Sequence, residues 1–153
     1  MNGRARNENS QDGRRLAAQK MKRILIHFRG QMDDLLRPEG VTAAQWVMLR
    51  AIEKEPVASG AQLARACHVT PQSAQALLKS LEVVGWIVRT KDTVNERILI
   101  AKLTPRGEKL LETGEKAVRV IEKRLWEGIP ESAVEALNRT LERCLENLES
   151  KCD

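Results

Sequence analysis

One segment, residues 59–104, constrains this chain more than any other. It contains two short predicted helices joined by a three-residue turn, followed by a basic β-hairpin. The second helix, Pro71 to about Val84, has an apolar stripe at the spacing i, i+3, i+4, i+7, which is typical of a helix that packs one face on a core. The stripe consists of Ala74, Leu77, Leu78 and Leu81. A turn of this length between two helices predicts a helix-turn-helix.

The same helix has a second stripe that is polar, small and nearly uncharged. It consists of Gln72, Gln75, Ala76 and Lys79. The outer face of a surface helix usually carries more charge, whereas amides and a methyl group match the base edges in a DNA major groove. We therefore predict that this face contacts DNA; the alternative is that its residues only keep the surface soluble.

Positive charge is concentrated on two parts of the chain. The net charge is +5 over 153 residues. Residues 1–30 contain eight Lys and Arg against two acidic residues, and residues 59–107 contain seven against three. Such a distribution is expected of a protein that binds a polyanion, and a solvated basic tail is the alternative.

Capping residues and helix breakers delimit the other elements. Residues 1–13 lack apolar periodicity and are predicted to be a disordered basic arm. Capping boxes at Thr42 with Gln45 and at Ser59 with Gln62 predict two helix starts. Helices are predicted over 14–36, 43–54, 59–67, 71–84, 105–127 and 131–149, and strands over 86–90 and 97–103, with a charged hairpin tip at 91–96.

The first and last helices carry apolar seams that a small winged core cannot cover. The last helix has a near-heptad stripe made of Val134, Leu137, Leu141, Cys144, Leu145 and Leu148. Pairing with a second copy of the chain would bury both ends at once, which predicts a homodimer. The alternative is a monomer in which these helices fold back as a cap.

Taken together, these elements resemble the MarR family of bacterial transcriptional regulators. The resemblance covers residues 14–150 and rests on the following motifs: Thr42-x-x-Gln-Trp-x-x-Leu49, Leu63-Ala64, Pro71-Gln72-Ser73, Leu81-Glu82-x-x-Gly85, Arg89, Asp92-x-x-Asn95-Glu96-Arg97 and Leu103-Thr104-x-x-Gly107. The family commonly has a second Asp and an Arg where this chain has Asn95 and Glu96. An acid at that position weakens the attraction of the wing tip to phosphate.

The resemblance implies a mostly α-helical fold with a small β-wing. A winged helix-turn-helix lobe, residues 42–107, would be flanked by N- and C-terminal dimerisation helices, residues 14–37 and 108–150, within a single domain 14–150. The expected partners are a second copy of the chain, double-stranded DNA carrying an inverted repeat, and a small phenolic or apolar anionic effector that releases a repressor from its operator.

Individual residues receive roles within this scheme. Gln72 and Gln75 are predicted to pair with adenines, and Ala76 to touch a thymine methyl. Thr70, Pro71 and Ser73 would bring the helix N-terminus close to the DNA backbone. Lys79, Arg89, Lys91 and Lys102 are candidates for phosphate contacts. Arg97 stands where the family has a minor-groove arginine, and an ion pair with Asp92 or Glu96 is its alternative role.

The resemblance also implies a ligand pocket beside the first two helices. Its candidate residues are His27, Phe28, Arg29, Met32, Trp46 and Met48. Arg29 is the candidate partner of a ligand carboxylate, and each of the others has plain core packing as its alternative. Cys67 is a candidate redox thiol, although its place on an apolar stripe favours an inert buried cysteine.

Several classes of protein are excluded or disfavoured by what the sequence contains. It has no catalytic triad order, Gly-rich phosphate loop or metal-ligand spacing, so we predict neither an enzyme nor a cofactor or metal. It has no membrane-spanning run and no signal peptide, which predicts a cytoplasmic, nucleoid-associated protein with reduced cysteines. The remaining rival is a winged-helix protein that serves as an interaction or architectural module without reading DNA sequence.

Overall fold

The computed structural model describes residues 3–91 and 99–150, with side chains from Asp12 onward. Within these ranges the chain forms six α-helices and one two-stranded sheet, in agreement with a mostly helical fold with a small wing. The elements are α1 (Gly3–Leu36), α2 (Ala43–Lys54), α3 (Gly60–Ala66), α4 (Pro71–Val84), β1 (Ile87–Lys91), β2 (Leu99–Leu103), α5 (Pro105–Leu125) and α6 (Glu131–Glu149).

Helix α1 begins at Gly3 and not at residue 14. Residues 3–13, which we expected to form a disordered arm, therefore lie in the helix. This segment contains no proline, and each residue added to an existing helix gains a backbone hydrogen bond. Helix α5 ends at Leu125, slightly before the predicted end at residue 127.

The helix-turn-helix region is delimited by the caps that the sequence predicts. Thr42 with Gln45 and Ser59 with Gln62 each form a complete capping box. Thr70 caps α4, where its side chain accepts a hydrogen bond from the backbone of Ser73. Gly85 ends α4 with φ of 81°, a left-handed conformation that glycine adopts without a steric penalty. The predicted bounds of α2 and α4 are confirmed.

The two strands form the base of the wing. β1 and β2 are antiparallel, with Ile87 opposite Leu103 and Lys91 opposite Leu99. The Thr104 hydroxyl donates a hydrogen bond to the carbonyl of Gly85 at 2.8 Å, which ties the end of β2 to the end of α4. The hairpin tip predicted at residues 91–96 lies largely outside the described residues.

Apolar side chains from α1 to α5 share one core. Met32 and Leu36 of α1 are buried with Leu49 of α2 and Leu81 of α4. Two polar contacts fix α2 within this core. Its first backbone N–H, at Ala43, donates to the carboxylate of Asp33 at 2.6 Å. The indole nitrogen of Trp46 donates to the carbonyl of Leu111 on α5 at 3.2 Å.

The chain divides into two compact units between Ile121 and Glu122, a boundary that lies within α5. The second unit contains the end of α5 and all of α6. None of the residues of α6 is buried, although the helix carries the predicted apolar stripe. Leu145 and Leu148 are 57% and 83% exposed.

Candidate nucleic-acid interface and the adjoining cleft

Helix α4 separates an apolar face from an exposed polar face. Ala74, Leu78 and Leu81 are buried. The side chains on the opposite face, which we predicted to contact DNA, are all exposed: Gln72, Ser73, Gln75, Ala76 and Lys79. Four of these side chains can form hydrogen bonds and the fifth, Ala76, is a methyl group, which is the chemistry that a major groove requires.

The N-terminus of α4 is held in shape by its own side chains. The Thr70 hydroxyl accepts a hydrogen bond from the backbone N–H of Ser73 at 3.1 Å and donates one to the Ser73 hydroxyl at 2.9 Å. Pro71 occupies the first turn, where a missing N–H costs nothing. Thr70 and Pro71 are both exposed, so this end of the helix is open to an approaching phosphate.

The turn before α4 contains a left-handed residue that is not glycine. His68 has φ of 52°, and its N–H donates to the carbonyl of Arg65 while that of Val69 donates to Ala64. These bonds reverse the chain within three residues. They help to set the angle between α3 and α4. The His68 side chain itself is exposed.

The basic residues of the wing differ in their surroundings. Lys91, at the end of β1, and Lys102, on β2, are exposed. The side chain of Arg89 is only 21% exposed, and its Nε donates to the Glu82 carboxylate at 2.9 Å. Arg97, Asp92 and Glu96 lie outside the described residues, and with them the predicted minor-groove contact.

Beside the helix-turn-helix lies a cleft of about 340 Å³. It is lined by Leu25, Phe28, Arg29, Met32, Ala43, Ala44, Trp46, Val47, Cys67, Val69 and Leu77. Arg29 is the one charged side chain among these. The walls are otherwise apolar, so the cleft combines apolar contact surface with one positive charge.

The cleft contains four of the predicted pocket residues, namely Phe28, Arg29, Met32 and Trp46. The structure places His27 and Met48 outside it. His27 is exposed, because neighbouring positions on a helix face different directions. Met48 is fully buried in the core. The wall made by Val69 and Leu77 was missed, since it comes from the turn before α4 and from α4, which sequence spacing does not bring next to α1.

Cys67 lies in the wall of this cleft and is half-buried. Its sulfur is 3.9 Å from the carbonyl oxygen of Val47 and 3.9 Å from the Met48 sulfur. Burial raises the pKa of the Cys67 thiol above its usual value, because a thiolate is poorly solvated there. Sensing thiols have lowered pKa values, so the surroundings of Cys67 disfavour redox sensing.

Among the side chains of residues 12–91 and 99–150, no cluster of His, Cys, Asp and Glu is arranged to hold a metal ion. In the same ranges, no helix combines the length and apolar character needed to cross a membrane.

Comparison with known proteins identifies relatives that match most of the chain. A sequence model of the MarR family matches residues 39–98. The HTH-type transcriptional repressor Rv2887 of Mycobacterium tuberculosis is 33% identical over 121 residues, which cover 79% of this chain and 87% of that protein. The match therefore extends well beyond the helix-turn-helix.

Solved structures agree with this result. The crystal structure of M. tuberculosis MarR family protein Rv2887 in complex with salicylic acid superposes with a TM-score of 0.64 at 31% identity, over 81% of this chain and 92% of that one. The reduced form of MarR from E. coli has a TM-score of 0.73 at 21% identity, over 84% and 95% of the two chains. The second likeness concerns the fold alone.

Proposed function

Because the chain belongs to the MarR family of transcriptional regulators, we propose that it is a repressor that binds a pseudo-palindromic DNA operator as a homodimer. The observation that carries this proposal is the exposed amide face of α4, with Gln72 and Gln75 on the side opposite the buried leucines. Helix α4 enters the major groove, and its two copies in the dimer contact successive grooves on one side of the duplex. The protein acts on chromosomal DNA in the cytoplasm.

Charge supports DNA as the partner. The lobe of residues 59–107 carries seven basic and three acidic residues. Lys79, within α4, and Lys91, at the end of β1, are exposed, and they contact phosphates. Arg97, which corresponds in the family motif to a minor-groove arginine, contacts the minor groove. A protein of this kind loses affinity steeply as salt releases the counterions that phosphate contacts displace.

The experiment that tests this proposal is a selection from a randomised duplex library with the purified full chain. The expected product is an inverted repeat whose half-site centres lie about 10 base pairs apart, or a multiple of one turn. Adenines are expected at the positions that Gln72 and Gln75 contact. Enrichment of no sequence, with weak salt-sensitive binding only, would instead indicate an architectural or interaction module.

The dimer accounts for apolar surface that one chain leaves in water. On α1, Leu25 and Ile26 are 70% and 60% exposed, and Leu145 and Leu148 of α6 are similarly uncovered. Burial of apolar surface stabilises by about 25 cal/mol per Å², so these two helices favour association with a second copy. Isologous pairing also gives the two-fold symmetry that an inverted repeat requires.

The dimer is tested by placing charge on α6. The double variant Leu145→Glu, Leu148→Glu is expected to sediment as a monomer and to lose affinity for the selected duplex. Val57→Glu is the matched control, because Val57 is 75% exposed but lies between α2 and α3. A double variant that remains dimeric would place the interface elsewhere.

The cleft beside α4 binds the effector, a small aromatic acid. Its apolar walls hold the ring, and Arg29 pairs with the carboxylate. The relative Rv2887 has been crystallised with salicylic acid, which supports this class of ligand. Leu77 belongs both to the cleft wall and to α4. A ligand in the cleft therefore contacts the same helix that contacts DNA and changes its position.

Salicylic acid is the probe for this part of the proposal. It is expected to bind the wild-type protein in a calorimetric titration and to release the selected duplex. Arg29→Gln is expected to weaken both effects at least about tenfold, since a charge-assisted pair contributes roughly 1.5–3 kcal/mol. Arg23→Gln, an exposed α1 change away from the cleft lining, is the control. Equal binding by Arg29→Gln and wild type would refute the role of Arg29.

A further inference from the structure

Gln75, on the exposed face of α4, is not a freely rotating side chain. Nη1 of Arg89 donates a hydrogen bond to Oε1 of Gln75 at 3.3 Å. Nε of the same guanidinium donates to Oε2 of Glu82 at 2.9 Å. Glu82 and Gln75 lie two helical turns apart on α4, and Arg89 on β1 spans the distance between them.

The guanidinium determines which way the amide of Gln75 points. Arginine only donates hydrogen bonds, so the atom that faces it is the amide oxygen. The amide nitrogen is then directed towards the start of α3, where a Cβ built on Gly60 would lie 2.6 Å from Nε2. The absence of a side chain at Gly60 leaves the room that this orientation needs.

We propose that Arg89, held by Glu82, is a positioning residue that presents the amide of Gln75 to one base of the operator in a fixed orientation. The inference rests on the proposed function, because it concerns how the same face of α4 selects sequence. A carbonyl oxygen has two lone pairs. Oε1 can therefore accept from adenine N6 while it still accepts from Arg89, and Nε2 can donate to adenine N7.

This role differs from the phosphate contact predicted for Arg89 from sequence. A phosphate contact raises affinity for every duplex and adds about one unit to the dependence of log K on log salt. A positioning residue instead affects the choice of base at one position and leaves the salt dependence nearly unchanged. The Arg89 side chain is largely buried and is paired with Glu82, which favours the positioning role.

The experiment measures base preference at each operator position for the full-length protein and for three variants. Arg89→Lys keeps the charge but cannot span Glu82 and Gln75 with one planar fork. Glu82→Ala removes the acceptor that holds Arg89. Gly60→Ala introduces the Cβ that displaces the Gln75 amide, while residues 75, 82 and 89 keep their identities. The control is Lys91→Ala, which removes an exposed basic residue of the same strand.

The expected result is a selective loss of discrimination. Preference for adenine over the other bases at the Gln75 position is expected to be about 5- to 150-fold in the wild type. It is expected to fall to less than about threefold in all three variants, with preferences elsewhere retained. The double variant Gln75→Ala, Arg89→Lys is expected to show the same base preference at that position as Gln75→Ala alone, since both residues act through one contact. Lys91→Ala is expected to lower the salt dependence and keep every base preference.

The results separate the two levels of the proposal. A wild-type protein that selects no sequence would overturn both the proposed function and this inference. A wild type that selects an operator, with folded variants that keep the adenine preference, would overturn the inference alone. If one variant fails to fold in a thermal melt, either of the other two decides. An equal loss of affinity for every duplex in Arg89→Lys, with all base preferences retained, would support a phosphate contact for Arg89 and refute the positioning role.

Discussion

The indole of Trp46 occupies the space in which a side chain at position 114 would have to lie. A Cβ built on Gly114 would be 1.8 Å from Nε1 of Trp46, and that nitrogen donates to the Leu111 carbonyl one turn earlier on α5. Trp46 is 3% exposed. The Trp46 indole can therefore pack directly against α5 because position 114 has no side chain.

Gly114→Ala is expected to destabilise the protein by about 2–3 kcal/mol, because Trp46 must move and lose its hydrogen bond. Denaturant unfolding measures this change. Gly30→Ala is the control: it is also in a helix, but nothing lies within 4 Å of its added Cβ, so it is expected to stabilise by about 0.5–1 kcal/mol. Equal unfolding midpoints for the two variants would contradict this account of Trp46.

Asp33 supports the start of α2 from another helix. Its carboxylate accepts the backbone N–H of Ala43, one of the donors that a helix start leaves without an intrahelical partner. Asp33→Ala is expected to cost about 1–2 kcal/mol of unfolding free energy, whereas Asp33→Asn retains an acceptor and costs less. Asp34→Ala, which removes an exposed pair with Arg37, is expected to change stability by less than about 0.5 kcal/mol. If Asp33→Ala lowered the free energy of unfolding no more than Asp34→Ala, Asp33 would not stabilise the start of α2.

His68 adopts a backbone conformation that β-branched residues avoid. Its φ of 52° is tolerated by histidine and asparagine but is strained for valine. His68→Val is expected to lower stability by about 1–2 kcal/mol, and His68→Asn to leave it nearly unchanged. Thermal melts of the two variants test this, and similar melting temperatures would argue against a left-handed turn.

Cys67 is expected to react slowly with alkylating agents. Burial raises the pKa of its thiol, so at neutral pH less thiolate is present in the folded protein than in the unfolded one. The labelling rate of Cys67, followed by peptide mass spectrometry, is expected to rise with pH. The pH of half-maximal rate is expected to be higher in the folded protein than in urea. Salicylic acid in the cleft is expected to slow the labelling. A lower midpoint in the folded protein would reverse the assignment and support a reactive thiol.

Local sequence signals predicted the elements of the helix-turn-helix well. The caps at Thr42, Ser59 and Thr70 and the stop at Gly85 act within a few residues, so spacing alone identifies them. Contacts between distant elements were out of reach. Asp33 caps a helix ten positions later in sequence, and Arg89 meets Gln75 only because β1 lies beside α4. The start of α1 was missed because no cap or breaker marks it.

The wall of the cleft shows the same limit. Arg29 and Met32 could be assigned from helix α1, and Trp46 from α2, but helical spacing alone did not exclude His27 and Met48. Which face of α1 meets α2 depends on the packing of Met32 and Leu36 into the core. That packing directs His27 into solvent and brings Phe28 to the cleft.

We propose that the outer face of α4 determines which DNA sequence is bound. The most direct measurement compares the affinity of the wild type and of the double variant Gln72→Ala, Gln75→Ala for the selected duplex and for a scrambled one, over a range of salt concentrations. Gln19→Ala, an exposed change on α1, is the control. The double variant is expected to lose about 30-fold or more in affinity for the selected duplex, while its binding to scrambled DNA and its salt dependence stay at the wild-type values. Wild-type discrimination between the two duplexes in the double variant would contradict it.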